Sequence, residues 1–132
     1  MPTEKKVLII DDDEGVRMFV EAIMLDQGWV CVDGKNGQEA IDLAELEEPD
    51  LIILDVNMPV MDGFEAFRRL RNSPFTEKIP IIMLTGINEE NHGLKFDAEK
   101  MEREFGVSRP EGFVDKPVDG DFLLKSVMGV VG

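Results

Sequence analysis

The chain has no tyrosine, one tryptophan, one histidine and one cysteine among its 132 residues. A single cysteine, Cys31, rules out an intramolecular disulfide and accords with a reducing compartment, so a cytoplasmic location is expected. One cysteine and one histidine cannot form the cluster that a zinc or iron site needs. No stretch approaches the roughly 18 uninterrupted apolar residues of a membrane span. The N-terminal MPTEKKVLIIDDD lacks the apolar region and small-residue cleavage site of a signal peptide. Basic residues are scarce too: 14 against 28 acids leave a formal charge of −14 at pH 7. Such a surface repels nucleic acid and anionic membranes, and neither is expected as a partner. Linkers, low-complexity tracts and internal repeats are also missing. Residues 1–132 therefore read as one domain, long enough to bury a core without disulfides or metals to staple it.

What is present is an alternation of two patterns. VLII (7–10), LIIL (51–54) and IIML (81–84) are strand-length and apolar throughout, as parallel strands covered on both faces must be. WVCV (29–32) and FV (113–114) are shorter strand candidates. Between them, Val16, Phe19, Val20, Ile23 and Met24 recur at helical spacing. Asn36 with Glu39 forms a capping-box pattern ahead of Ala40, Ile41 and Ala44, and Asp62 with Glu65 does so for Phe64, Phe67 and Leu70. Pro74 marks the exit from that helix, and further helices are predicted within 88–105 and 119–130. A strand–helix unit repeated five times gives an α/β fold: an open parallel sheet with helices on both faces.

Ligands of such sheets sit beyond the carboxyl ends of the strands. The residues that follow each apolar run are Asp11, Asp12 and Asp13, then Asp55, then Thr85, then Asp115, Lys116 and Pro117. An ionised carboxylate such as Asp55 at the end of a buried run loses hydration and needs a partner or a task. Oxygen-only ligands suit a hard cation such as Mg²⁺, which is usually held by one or two carboxylates together with phosphate oxygens and water. A lysine and a threonine suit the remaining oxygens of a phosphoryl group. Asp55 then stands as a nucleophile able to form an aspartyl phosphate.

IIDD (9–12), LDVNMPVMDG (54–63), MLTG (83–86) and DKP (115–117) together resemble the receiver domain of two-component response regulators, of the chemotaxis-receiver type. The resemblance spans nearly the whole chain. It implies a flavodoxin-like (βα)5 sheet with strand order 2-1-3-4-5. It further implies Asp55 as phospho-acceptor, with Asp11, Asp12, Asp55 and the backbone carbonyl of Asn57 around Mg²⁺ (or Mn²⁺). Asp12 binds directly and Asp11 mainly through water in that scheme. Thr85 and Lys116 take phosphoryl oxygens, and Pro117 follows a cis peptide bond. Arg17, five residues after Asp12, fixes Asp11 and Asp12 as the family's acid pair and leaves Asp13 to the helix start.

The implied partners are a sensor histidine kinase or histidine phosphotransfer protein as donor and a downstream protein as target, with a phosphorylation-dependent dimer left open. The chain is then no enzyme beyond its own phosphorylation and dephosphorylation. Ending soon after the last predicted helix, it reads as a stand-alone receiver. The expected signalling face combines the helix within 88–105, the strand at 113–114 and the last helix.

Several positions depart from the family pattern. Phe113 occupies the place where many receivers carry a switching tyrosine, and a core role and a switch role are equally open for it. The stretch between Thr85 and Lys116 is longer than usual and heavily charged. Ile87 is apolar where a polar residue can orient attacking water, which points to a longer-lived phosphoryl group; His92 reads as a surface residue and Asp115 as a solvated one. Two other functions compete. A phosphatase of the haloacid dehalogenase type wants a second acid two residues after the nucleophile, where Asn57 stands. A phosphorylation-independent interaction module is the other.

Overall fold

A computed structural model describes residues 4–86 and 110–131. Its elements alternate as expected: β1 (Lys6–Ile10), α1 (Glu14–Asp26), β2 (Val30–Gly34), α2 (Gly37–Glu47), β3 (Leu51–Asp55), α3 (Gly63–Arg71), β4 (Ile81–Thr85), β5 (Gly112–Asp115) and α4 (Gly120–Val131). The strands form one parallel sheet in the order β2-β1-β3-β4-β5. The helix expected within 88–105, together with Ile87 and His92, lies outside the described residues. Among the described residues no helix is long and apolar enough to cross a membrane.

The uniform apolarity of the inner strands follows from two cores. Side chains alternate across a strand. Leu8, Ile10, Ile52, Leu54, Ile81 and Met83 meet Ala40, Ala44, Phe67 and Leu70 of α2 and α3 on one face. Val7, Ile9, Leu51, Ile53, Ile82 and Leu84 meet Val20, Met24, Leu123 and Val127 of α1 and α4 on the other. A polar residue at any of these positions would be buried on whichever face it met.

β2 runs from Val30 to Gly34 rather than over 29–32. It is an edge strand with Val30 and Asp33 exposed, so its pattern is weaker. Trp29 instead closes the turn after α1, with its side chain in the second core.

Helix starts behave as the capping patterns predict, with one difference. Asn36 Oδ1 accepts the Glu39 amide at 2.9 Å, and Glu39 Oε1 accepts the Lys35 amide at 3.0 Å. Asp62 accepts the Glu65 amide at 2.9 Å, but the Glu65 carboxylate turns to Arg68 and, at 2.7 Å, to Arg69. Asp13 caps α1 by accepting the Val16 amide at 3.2 Å, the helix-start role expected of it.

One buried cation was not foreseen. Arg71, at the end of α3, lies i+4 from Phe67 and therefore on the inward face; its guanidinium carbon sits 5.0 Å from the centre of that ring. It donates to the Ile79 carbonyl at 2.7 Å and to Glu111 at 2.6 Å, and Glu111 also accepts the Ile81 amide at 2.6 Å. The pair thus ties α3 to the starts of β4 and β5. With the Arg71 side chain only 2% exposed, Arg71→Met is expected to cost about 3 kcal/mol. A lower urea midpoint at unchanged slope would register that loss; an unmoved midpoint would contradict it.

Candidate functional site

In the order β2-β1-β3, the chain leaves β1 toward one edge and continues from β3 toward the other. The crevice at that reversal lies beyond the ends of β1 and β3. Asp11 immediately follows β1 and Asp55 is the last residue of β3; the two carboxylates are buried, at 0% and 2% exposure. Asp12 beside them is exposed. Carboxylate oxygens of Asp11, Asp12 and Asp55 all lie within 4.8 Å of one another.

Lys116, just after β5, reaches across to this pair. Its Nζ is 2.9 Å from Asp55 Oδ1 and 2.9 Å from Asp11 Oδ2. Its own amide donates to the Thr85 carbonyl at 2.7 Å, so the chain is fixed where the side chain departs. The Lys116–Pro117 peptide bond is cis. Asp11 is held further by its Oδ1, which accepts the Asp13 amide at 2.9 Å, and by Arg17, whose guanidinium donates to the Asp11 carbonyl at 2.7 Å and to Asp33 at 3.2 Å. Arg17 thus steadies the residue whose position it served to index in the sequence.

Burial first, and then the neighbouring Asp11 charge, push the Asp55 carboxyl up to about 7, against the opposing pull of Lys116. Asp11 is likewise raised, mainly by burial. Burial alone would lower the Lys116 ammonium, but Asp11 and Asp55 outweigh it and the net shift is upward. One ammonium therefore faces three acids. Asp55 Oδ2 and Asp11 Oδ2 are buried without a hydrogen-bond partner among the described residues; the second has its ion pair to Lys116 but not hydrogen-bond geometry. Unsatisfied buried carboxylate oxygens, all hard donors and closely spaced, are what a small hard cation requires.

The acids open into a cleft of about 580 Å³ lined by Asp12, Asp13, Asp55, Asn57, Met58, Pro59, Gly86 and Lys116. The loop after β3 forms one wall, and its return is anchored by Gly63, whose amide donates to the Val56 carbonyl at 2.8 Å. A Cβ at Gly63 would come within 2.0 Å of the Asp55 carbonyl oxygen, so only glycine lets α3 begin this close to the acid.

The remaining predicted residues are placed differently. Thr85 ends β4 beside the cleft, but its hydroxyl donates to Asp115 at 2.9 Å instead of facing Asp55. Asp115, read as merely solvated, is exposed yet engaged. Its partnership depends on the register Thr85↔Asp115 between adjacent strands, which no local pattern reveals. Phe113 is half-buried against the first core and does not line the cleft. Pro117 borders a separate apolar groove with Val16, Phe19 and Val118.

Comparison with known proteins agrees with this geometry. A family model described as the response regulator receiver domain matches residues 7–128. The CAI-1 autoinducer sensor kinase/phosphatase CqsS of Vibrio cholerae is 34% identical over 125 residues, covering 94% of this chain and 17% of that protein. The transcriptional regulatory protein AfsQ1 of Streptomyces coelicolor is 33% identical over 128 residues, 95% of this chain and 50% of that one. The chain thus spans half or less of the length of these curated relatives. Among solved structures, the chemotaxis response regulator CheY4 of Vibrio cholerae superposes with a TM-score of 0.79 at 32% identity, covering 96% of this chain and 98% of that one. Strand order, clustered acids and family match converge, and the chain belongs to the receiver domain family of two-component response regulators.

Proposed function

We propose that Asp55 accepts a phosphoryl group from a phosphohistidine donor, with Asp11, Asp12, Asp55 and the Asn57 backbone carbonyl as ligands for Mg²⁺ or Mn²⁺. The observation that carries this reading is Asp55 Oδ2: buried, without a hydrogen-bond partner among the described residues, and at the edge of an open cleft beside an ammonium. Its lone pairs are available to phosphorus or to a cation.

The Asp55 carboxylate attacks phosphorus; an O–P bond forms as the N–P bond to the donor imidazole breaks. The imidazole leaves neutral, because its other nitrogen already carries a proton. Alignment and charge neutralisation do most of the work in such a transfer. Lys116 neutralises part of the charge on the entering oxygens, and Asp11 and Asp55 hold its ammonium over the cleft. When bound, the divalent cation supplies the positive charge that one lysine cannot set against three acids. The product adds about −1.5 to −2 charges, to which the Lys116 and Thr85 side chains respond.

Receiver domains interact with histidine kinases and with downstream targets. For this chain, the donor is a sensor kinase or phosphotransfer protein and the target is another protein. Intact mass after incubation with acetyl phosphate tests the reading. One phosphoryl group is expected on the wild type only with Mg²⁺ present, and none on Asp55→Asn. An adduct that persists in Asp55→Asn would remove Asp55 from the role.

A further inference from the structure

The Thr85–Asp115 hydrogen bond has no part in the transfer step itself. Thr85 shares the side-chain parity of Ile81 and Met83, and Asp115 that of Phe113; those residues face the first core. Asp55 shares the parity of Leu51 and Ile53, which face the second. The Thr85 side chain therefore leaves its strand on the face opposite to Asp55 and must turn about the strand end to reach the cleft. Its register partner Asp115 leaves on the same face and takes the hydroxyl at 2.9 Å. The backbones cannot adjust in its place, since the Lys116 amide is already bonded to the Thr85 carbonyl at 2.7 Å.

We propose that Asp115 is a positioning residue that acts through Thr85: it holds the hydroxyl away from Asp55 in the resting state and must release it when a phosphoryl group arrives. A threonine hydroxyl has one proton to donate. It goes either to the Asp115 carboxylate or to a phosphoryl oxygen, so the two bonds exclude each other. Release is inexpensive for Asp115, which is exposed and regains water. The latch therefore sets the resting balance without blocking the switch. It rests on the phospho-acceptor reading of Asp55.

Beryllofluoride, which mimics a phosphoryl group on a carboxylate, is the probe, titrated at fixed Mg²⁺ and followed by the backbone amide resonances of the folded chain. Asp115→Ala is expected to tighten the apparent affinity roughly 3–10-fold, the range of one net hydrogen bond. The same substitution made in a Thr85→Ala background is expected to change it little. Asp115→Asn, which keeps an acceptor but loses the charge, should fall between wild type and Asp115→Ala. Side-chain couplings of Thr85 in the free protein should report one rotamer in the wild type and averaging in Asp115→Ala. Equal tightening in both backgrounds would make the effect one of charge alone and overturn the latch. So would no tightening while the wild type binds. A folded wild type that does not bind beryllofluoride overturns the phospho-acceptor reading itself, and the latch with it, an outcome distinct from the other two.

Discussion

Lys116→Met is expected to lower the thermal midpoint by roughly 10 °C at pH 7.5 without divalent cations, the equivalent of about 3 kcal/mol. Lys116 Nζ lies 2.9 Å from each of two carboxylates that are almost fully buried, and its own side chain is only 22% exposed. Removing it leaves Asp11 and Asp55 facing each other with no counter-charge. Part of the loss is relieved because both acids, already raised by burial, take up protons more readily still. Millimolar Mg²⁺ should recover a larger share of stability in this variant than in the wild type, because the two acids then lack their other counter-charge; a ligand bound only by the folded state, at free concentration c, stabilises it by RT ln(1 + c/Kd). Thermal scans with and without Mg²⁺ give the measurement. An unchanged midpoint in metal-free buffer would mean that the ammonium contributes nothing to the fold.

Asp55→Asn should act in the opposite direction. Without a divalent cation at pH 8 it is expected to raise the midpoint by about 3–6 °C, the shift of a gain near 1 kcal/mol. The folded protein holds the Asp55 proton up to about 7, whereas an unperturbed aspartate releases it near 3.8. Between those values the folded state binds more protons than the unfolded one, so stability falls as pH rises. Below that window the acid is neutral in both states, and the penalty is absent. Asparagine keeps the shape without the charge and should flatten this slope. A shallower slope remains because Asp11 is raised in the same direction by the same cause. Denaturation midpoints of both proteins at several values between pH 4 and 8 decide the matter; parallel curves would count against a strained charge at Asp55. An acid that destabilises its own fold is one retained for what it does.

Much of this is legible in the sequence. The inner strands declared themselves because both faces are covered, so VLII, LIIL and IIML carry no polar residue to confuse the reading. The acids could be grouped because they fall just past those runs, and topology brings strand ends together. Edges were less clear. The pattern sets β2 one residue early because Trp29 is apolar and adjoins the strand, although it belongs to the turn and fills the core from there. In FEAFRRLR three arginines look alike, and only the helical phase, four residues after Phe67, separates Arg71 from Arg68 and Arg69. Asp115 is exposed as its position suggests, but its partner is fixed by strand register across a long separation in sequence, not by any neighbour along the chain.

The Arg71–Glu111 pair also has a mechanical reading. It grips β4 and β5 where they begin, at Ile81 and Glu111, while a single hydroxyl joins their side chains where they end, at Thr85 and Asp115. The backbone ladder holds both strands along their length, so what freedom remains lies with the side chains at the cleft end. The chain departs from that end after Gly86 and comes back at Pro110, next to the clamp. A movement of the Thr85 hydroxyl at the cleft therefore leaves the clamped starts of the two strands in place.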